Sequence, residues 1–257
     1  MDSYVERSPQ PELADAVRTV WTQRTGPAPH VQRHLPTGGV ELHVRIGGHT
    51  QLLGPLTGPM IEVIPPHTVV VGVRFWPGTP PPLPAPMDDL VDRRVTLDGR
   101  YTGSSEHVLM ALQRHLLHEF RRAAHADPLM WETVRALMPG RSIAIDGLAD
   151  RLGLSASQLR RRCLQAVGLS PKALQRTLRF QGFLALAQAG ADGVADLAAQ
   201  AGYADQPHLN RECLRLTGLT PRQLLGGPVD RCACGHDHSA SYRPFLALCA
   251  FRSRQPA

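Results

Sequence analysis

The sequence predicts an α+β protein: a β-rich N-terminal domain, then an all-α domain with two helix-turn-helix units joined by a long helix. Three observations predict this. Period-2 alternation marks the N-terminal part, the period changes to helical after Ser104, and an internal repeat runs between Leu148 and Pro221. The 257 residues, 42% apolar, can bury a core in each of two domains, and charged residues at 19% are too few for a disordered chain.

In order along the chain, Val40, Leu42, Val44 and Ile46 alternate with Glu41, His43 and Arg45, predicting a strand with one buried and one wet face. Gly47-Gly48 follows as a turn. Met60–Ile64 and Thr68–Phe75 are further strands, parted by Pro65-Pro66, because proline has no N–H to give a ladder. Pro77–Pro86 holds six prolines in ten residues and reads as loop or polyproline II. Residues 1–103 are therefore assigned to the β-rich domain and 104–140 to a helical connector.

The connector opens with a helix capped by Ser104 or Ser105, whose stripe is Val108, Leu109, Leu112, Leu116, Leu117 and Phe120. His115, His118 and Glu119 share that helix and read as ordinary surface residues. Asp127-Pro128 opens a second helix to about Met138, and Pro139-Gly140 ends it.

The repeat defines residues 141–227. Leu148, Ala149 and Gly153 match Leu197, Ala198 and Gly202 at an offset of 49. Leu159, Arg161, Cys163, Leu164, Gly168, Leu169 and Pro171 then match Leu209, Arg211, Cys213, Leu214, Gly218, Leu219 and Pro221 at an offset of 50. Each copy reads as a short helix, a glycine turn and a longer helix. Ser155 and Asp205 are the expected N-caps, and Pro207 falls in a first turn, where a missing N–H is harmless. Leu159, Leu209, Cys163 and Cys213 are expected inside. Charge is lopsided too: residues 139–257 carry 15 basic against 8 acidic side chains, net +7, while residues 1–138 carry 13 against 14, net −1. A basic half joined to a neutral one points to a polyanion partner.

The stretch from Gly202 to Arg211 (GYADQPHLNR), closed by Gly218-Leu-Thr-Pro221 and echoed by Gly168-Leu-Ser-Pro171, resembles the AraC-type transcription regulators over about residues 141–227. Cys163 and Cys213 depart from that family, which usually has Phe there. The resemblance implies two recognition helices entering successive major-groove segments of double-stranded DNA, joined by a helix over about Pro171–Gln188. Base contacts would come from Ser157, Arg160 and Arg161 on the first helix and Gln206, His208, Asn210 and Arg211 on the second. Arg162, Arg176, Arg179 and Arg222 would serve phosphates. For Arg211 a tether to core or phosphate stands equally, and His208 serves equally as a cap. The resemblance also implies a sensing or dimerising N-terminal domain, an unnamed small-molecule effector and RNA polymerase as a partner, with monomer and dimer both open.

Leu35–Leu42 and Gly72–Gly78 are similar to the N-terminal domain of one branch of that family. Trp76, Phe75 and Trp21 suit either a pocket for a small apolar effector or plain core packing, and core packing is expected. His30, His34, His43, His49 and His67 show no metal-binding spacing and read as isolated residues.

Residues 228–257 read as a tail carrying Cys232, Cys234, His236 and His238, candidate zinc or copper ligands set more tightly than structural zinc sites use. The alternative to a plain regulator is a metal-responsive regulator or metal-dependent enzyme using that tail or the N-terminal histidines. Against an enzyme, there is no Gly-x-Ser-x-Gly, no phosphate-cradling glycine loop, no His-Glu-x-x-His, and no Cys in residues 1–138. The acidic, polar start and the absence of a long apolar run point to a cytoplasmic protein without a membrane partner.

Overall fold

The computed structural model describes residues 2–83, 85–122, 127–140, 143–190, 193–226 and 238–252, with side chains of the last segment described to 246. The N-terminal half holds β1 (Ser3–Arg7), β2 (Val17–Arg24), β3 (His30–His34), β4 (Glu41–Arg45), β5 (Thr50–Leu53), β6 (Met60–Ile64), β7 (Val69–Phe75) and β8 (Arg94–Leu97). Six form one antiparallel sheet in the order β1-β2-β7-β4-β5-β8, and β3 pairs with β6 in a second.

Alternation gives the large sheet two unlike faces. Val20, Leu42, Val44, Leu52, Val71, Val73 and Phe75 share a core with Val108, Leu109, Leu112 and Leu116 of α1 (Ser105–Arg122). The opposite face was expected to be wet, yet Glu41 and His43 are buried. The β3–β6 sheet covers it: Gln23 Nε2 donates to Gln32 Oε1 across the gap at 3.2 Å. The interior between the sheets is therefore polar. Of the three aromatics expected as core residues, Phe75 lies in the apolar core and Trp76 packs against Phe245, whereas Trp21 lies on the polar face. His34 and His43 are not isolated either, since they meet Glu62 there.

The helical half contains α2 (Pro128–Leu137), α3 (Ile145–Arg151), α4 (Ala156–Val167), α5 (Pro171–Gln188), α6 (Val194–Gln200), α7 (Gln206–Thr217) and α8 (Pro221–Leu225). Leu174, Leu178, Phe180, Phe183 and Leu184 make α5 its buried spine. Burying each such phenylalanine contributes about 2–3 kcal/mol. The segment expected as a connector divides, α1 joining the sheet's core and α2 the helical one. Cys232, Cys234 and His236 lie outside the described residues. From Ser239, where a tail was expected, the chain forms α9 (Ser239–Arg252), with Phe245 fully buried.

Buried charge ties the halves together. The Arg18 guanidinium lies 4.6 Å from the Phe245 ring centroid; its Nη2 donates to Gln181 Oε1 on α5 and its Nε to the Ser241 carbonyl. Arg74 donates to Glu41, Glu6 and Ser241 Oγ. Burial opposes ionising Glu6, but Arg74 and the hydrogen bond from His238 outweigh it and hold the carboxyl well below its usual range.

Candidate nucleic-acid interface

α3–α4 and α6–α7 are the two helix-turn-helix units, and the longer helix of each begins at a side-chain cap. Ser155 Oγ accepts from the Gln158 N–H at 3.2 Å while Gln158 Oε1 accepts from the Ser155 N–H at 2.8 Å, a reciprocal capping box. In the second copy Asp205 Oδ1 accepts from the His208 N–H at 2.6 Å, with Pro207 in the first turn. Both helices end on a left-handed glycine, Gly168 and Gly218, whose N–H returns to the carbonyl of Leu164 and Leu214 respectively. Leu159, Cys163, Leu209 and Cys213 are fully buried, so the opposite side of each helix faces water.

That side carries the expected base readers. Ser157, Arg160, Arg161, Gln206 and Arg211 are exposed, and Asn210 is half-buried. No ion pair among the described residues engages Arg160, Arg161 or Arg211. His208 is turned back onto its own turn: its Nδ1 accepts from the Ala204 N–H at 3.4 Å, and its ring meets Tyr203 edge-on at 5.2 Å.

The arginines expected on phosphates divide. Arg162 donates to Asp127, the N-cap of α2, at 3.0 Å, and Arg176 donates to Glu212 at 2.7 Å, bracing α5 to α7. Arg179 stacks on Tyr203 with its guanidinium carbon 5.6 Å from the ring centroid. Only Arg222 of the four is plainly exposed. Arg215, which the sequence reading passed over, is also exposed and lies four residues beyond Arg211, on the same side of α7. That spacing alone could have found it.

The β-rich half touches both helices at their C-terminal ends. Arg33 on β3 donates to the Thr217 carbonyl at 2.9 Å. A Cβ placed on Gly168 would lie 2.9 Å from Val91 and 3.1 Å from the Met87 carbonyl. The N-terminal halves, which carry the expected readers, expose Ser157, Arg160, Arg161, Gln206 and Arg211.

Comparison with known proteins matches residues 148–226 to a family model described as a helix-turn-helix domain, and residues 5–96 to one described as a domain of unknown function, DUF6597. The HTH-type transcriptional regulator VirS of Mycobacterium tuberculosis is 39% identical over 90 residues, 35% of this chain and 26% of that protein. The chain thus spans about a quarter of the length of the curated relative it matches. Among solved structures, ToxT from Vibrio cholerae superposes with a TM-score of 0.45 at 8% identity, covering 88% of this chain and 97% of that one. An unsaturated fatty acid-bound form of wild-type ToxT gives 0.46 at 9% identity, covering 93% and 97%.

Proposed function

We propose that this chain, whose residues 148–226 form an AraC-type helix-turn-helix domain, is a sequence-specific transcription regulator of the cytoplasm that reads two adjacent major-groove segments. One observation carries the reading. Arg161 and Arg211 occupy equivalent positions in the two copies, both exposed and without an ion pair among the described residues, on helices whose opposite sides are buried. Arginine in that setting matches the paired acceptors of guanine. Arg160, Gln206 and Asn210 extend the reading surface, and Arg215 and Arg222 supply phosphate contacts. An enzymatic role finds no support in the described thiols, since burial pushes Cys163 and Cys213 up to about 12 and leaves them without thiolate. The β-rich half is assigned control of the reader, because it holds the C-terminal end of each recognition helix.

The test is site selection with purified protein at stated salt, followed by binding of variants to the selected duplex and to random duplex. Arg160→Ala, Arg161→Ala and Arg211→Ala should each lose about 1–3 kcal/mol on the selected site and relax preference for one base pair. Arg222→Ala should weaken both duplexes alike. With Arg162 and Arg176 engaged inside the protein, about three arginines (Arg179, Arg215 and Arg222) remain for phosphates, and log affinity should fall against log salt with a slope near −3. Equal losses on both duplexes for all of these variants would contradict base reading.

A further inference from the structure

The polar interior between the two sheets gathers groups that the DNA-reading function does not use. His34 from β3, His43 from β4 and Glu62 from β6 bring one ligand-type atom each to within 4.8 Å of the others. Sheet register places them. Trp21, Gly72, His43 and Gln51 lie side by side in one row across β2, β7, β4 and β5, and the small sheet lowers His34 and Glu62 onto that row. Gly72 has no side chain because the Trp21 indole covers it, with a Cβ there falling 2.0 Å from the ring.

One cation is already present. Arg94 reaches in from the edge strand β8. Its Nη2 lies 2.8 Å from Glu62 Oε2 and 3.1 Å from His34 Nε2, and its Nη1 lies 3.0 Å from Gln51 Oε1 and 3.5 Å from His43 Nδ1. Those contacts conflict at one atom. His34 Nε2 is also 2.9 Å from Glu62 Oε2, which requires a proton on that nitrogen, whereas a bond from Arg94 requires a lone pair there. A guanidinium and a carboxylate cannot both be satisfied by the same imidazole nitrogen.

We propose that His34, His43 and Glu62 form a binding site for a divalent transition-metal ion of the zinc class, and that Arg94 competes with the ion for it. A metal ion removes the conflict, because it takes lone pairs from both imidazoles and from the carboxylate at once. His43 is oriented for this. Its Nε2 faces Glu41 at 3.4 Å, which places the proton on that side and leaves the Nδ1 lone pair on the cluster, the carboxylate–histidine pattern that orients metal-binding imidazoles. Around a tetrahedral ion the donors stand about 3.4 Å apart, so the three side chains close in by roughly 1 Å while the arginine withdraws. The cavity has room for about one water-sized occupant, which suits an ion and excludes an organic effector. Trp21 Nε1 borders the same space with no hydrogen-bond partner among the described residues, and a metal-bound water would supply an acceptor.

The test uses the full chain carrying Cys232→Ser, Cys234→Ser and Cys249→Ser, so that thiolates of the C-terminal region cannot ligate. The metal-stripped protein is titrated with Co(II), read by its visible ligand-field band, and with Zn(II), read by calorimetry. One ion per chain is expected, without a sulfur-to-metal charge-transfer band. Glu62→Gln and His34→Gln should weaken binding at least tenfold, and Arg94→Gln should tighten it by about tenfold. Circular dichroism confirms that each variant is folded. No uptake by the parent chain overturns the proposal. So does uptake indifferent to both Glu62→Gln and His34→Gln, or an Arg94→Gln variant that binds no more tightly.

Discussion

Cys163 and Cys213 stand at the same place in the two copies, fully buried beneath their helices. A thiolate there would lose its hydration, so burial pushes both thiols up to about 12, with Glu212 adding a smaller push to Cys213. Both stay protonated at pH 8 in the native state and become ordinary thiols on unfolding. Iodoacetamide at pH 8 should leave the two peptides unmodified in native protein and label both in guanidinium chloride, read by peptide mass spectrometry. Labelling of either in the native state would show that its helix opens. Both positions were legible in the sequence, because a cysteine one turn beyond a buried leucine shares its face. The fates of Arg162 and Arg176 were not, because Asp127 and Glu212 lie 35 and 36 residues away from them along the chain.

The helix-turn-helix units were readable because every device in them is local. Caps, glycine turns and apolar stripes act within about four residues of one another. The large sheet was less so. β2 went unseen because Arg18, Thr19 and Gln23 are buried along with Val17, Val20 and Trp21, leaving no alternation of polarity to read. Two glycines separate local demands from packed ones. Gly153 and Gly168 both hold a left-handed conformation, but only Gly168 has neighbours that a Cβ would meet. Gly153→Ala should cost about 1 kcal/mol for backbone strain alone. Gly168→Ala should cost more, by about 1–3 kcal/mol, because Val91 and the Met87 carbonyl must also shift. Urea unfolding at constant m-value measures the difference, and equal losses would show that the β-rich half does not press on α4.

At the scale of the molecule, α9 bridges the halves: Phe245 inserts beside Trp76 and under the Arg18 guanidinium while Ser241 receives Arg18 and Arg74. Phe245→Ala should destabilise the protein by about 3–5 kcal/mol and, by loosening this joint, separate calorimetric unfolding into two transitions. Arg33→Ala should alter affinity for selected and random duplex by the same factor, since the residue holds the end of α7 and lies outside the proposed reading surface. A change confined to the selected duplex would place Arg33 in the reading surface instead.

The order of amino acids by itself determined the two helix-turn-helix units, the long helix between them, several strands and the arginines that face outward, because each depends on spacing within a turn or two of chain. Only the tertiary structure decided which arginines stay available, that the β interior is polar, and that His34, His43, Glu62 and Arg94 meet. Those outcomes depend on strand register and on buried charges finding partners far along the chain, and neither leaves a periodic trace in sequence.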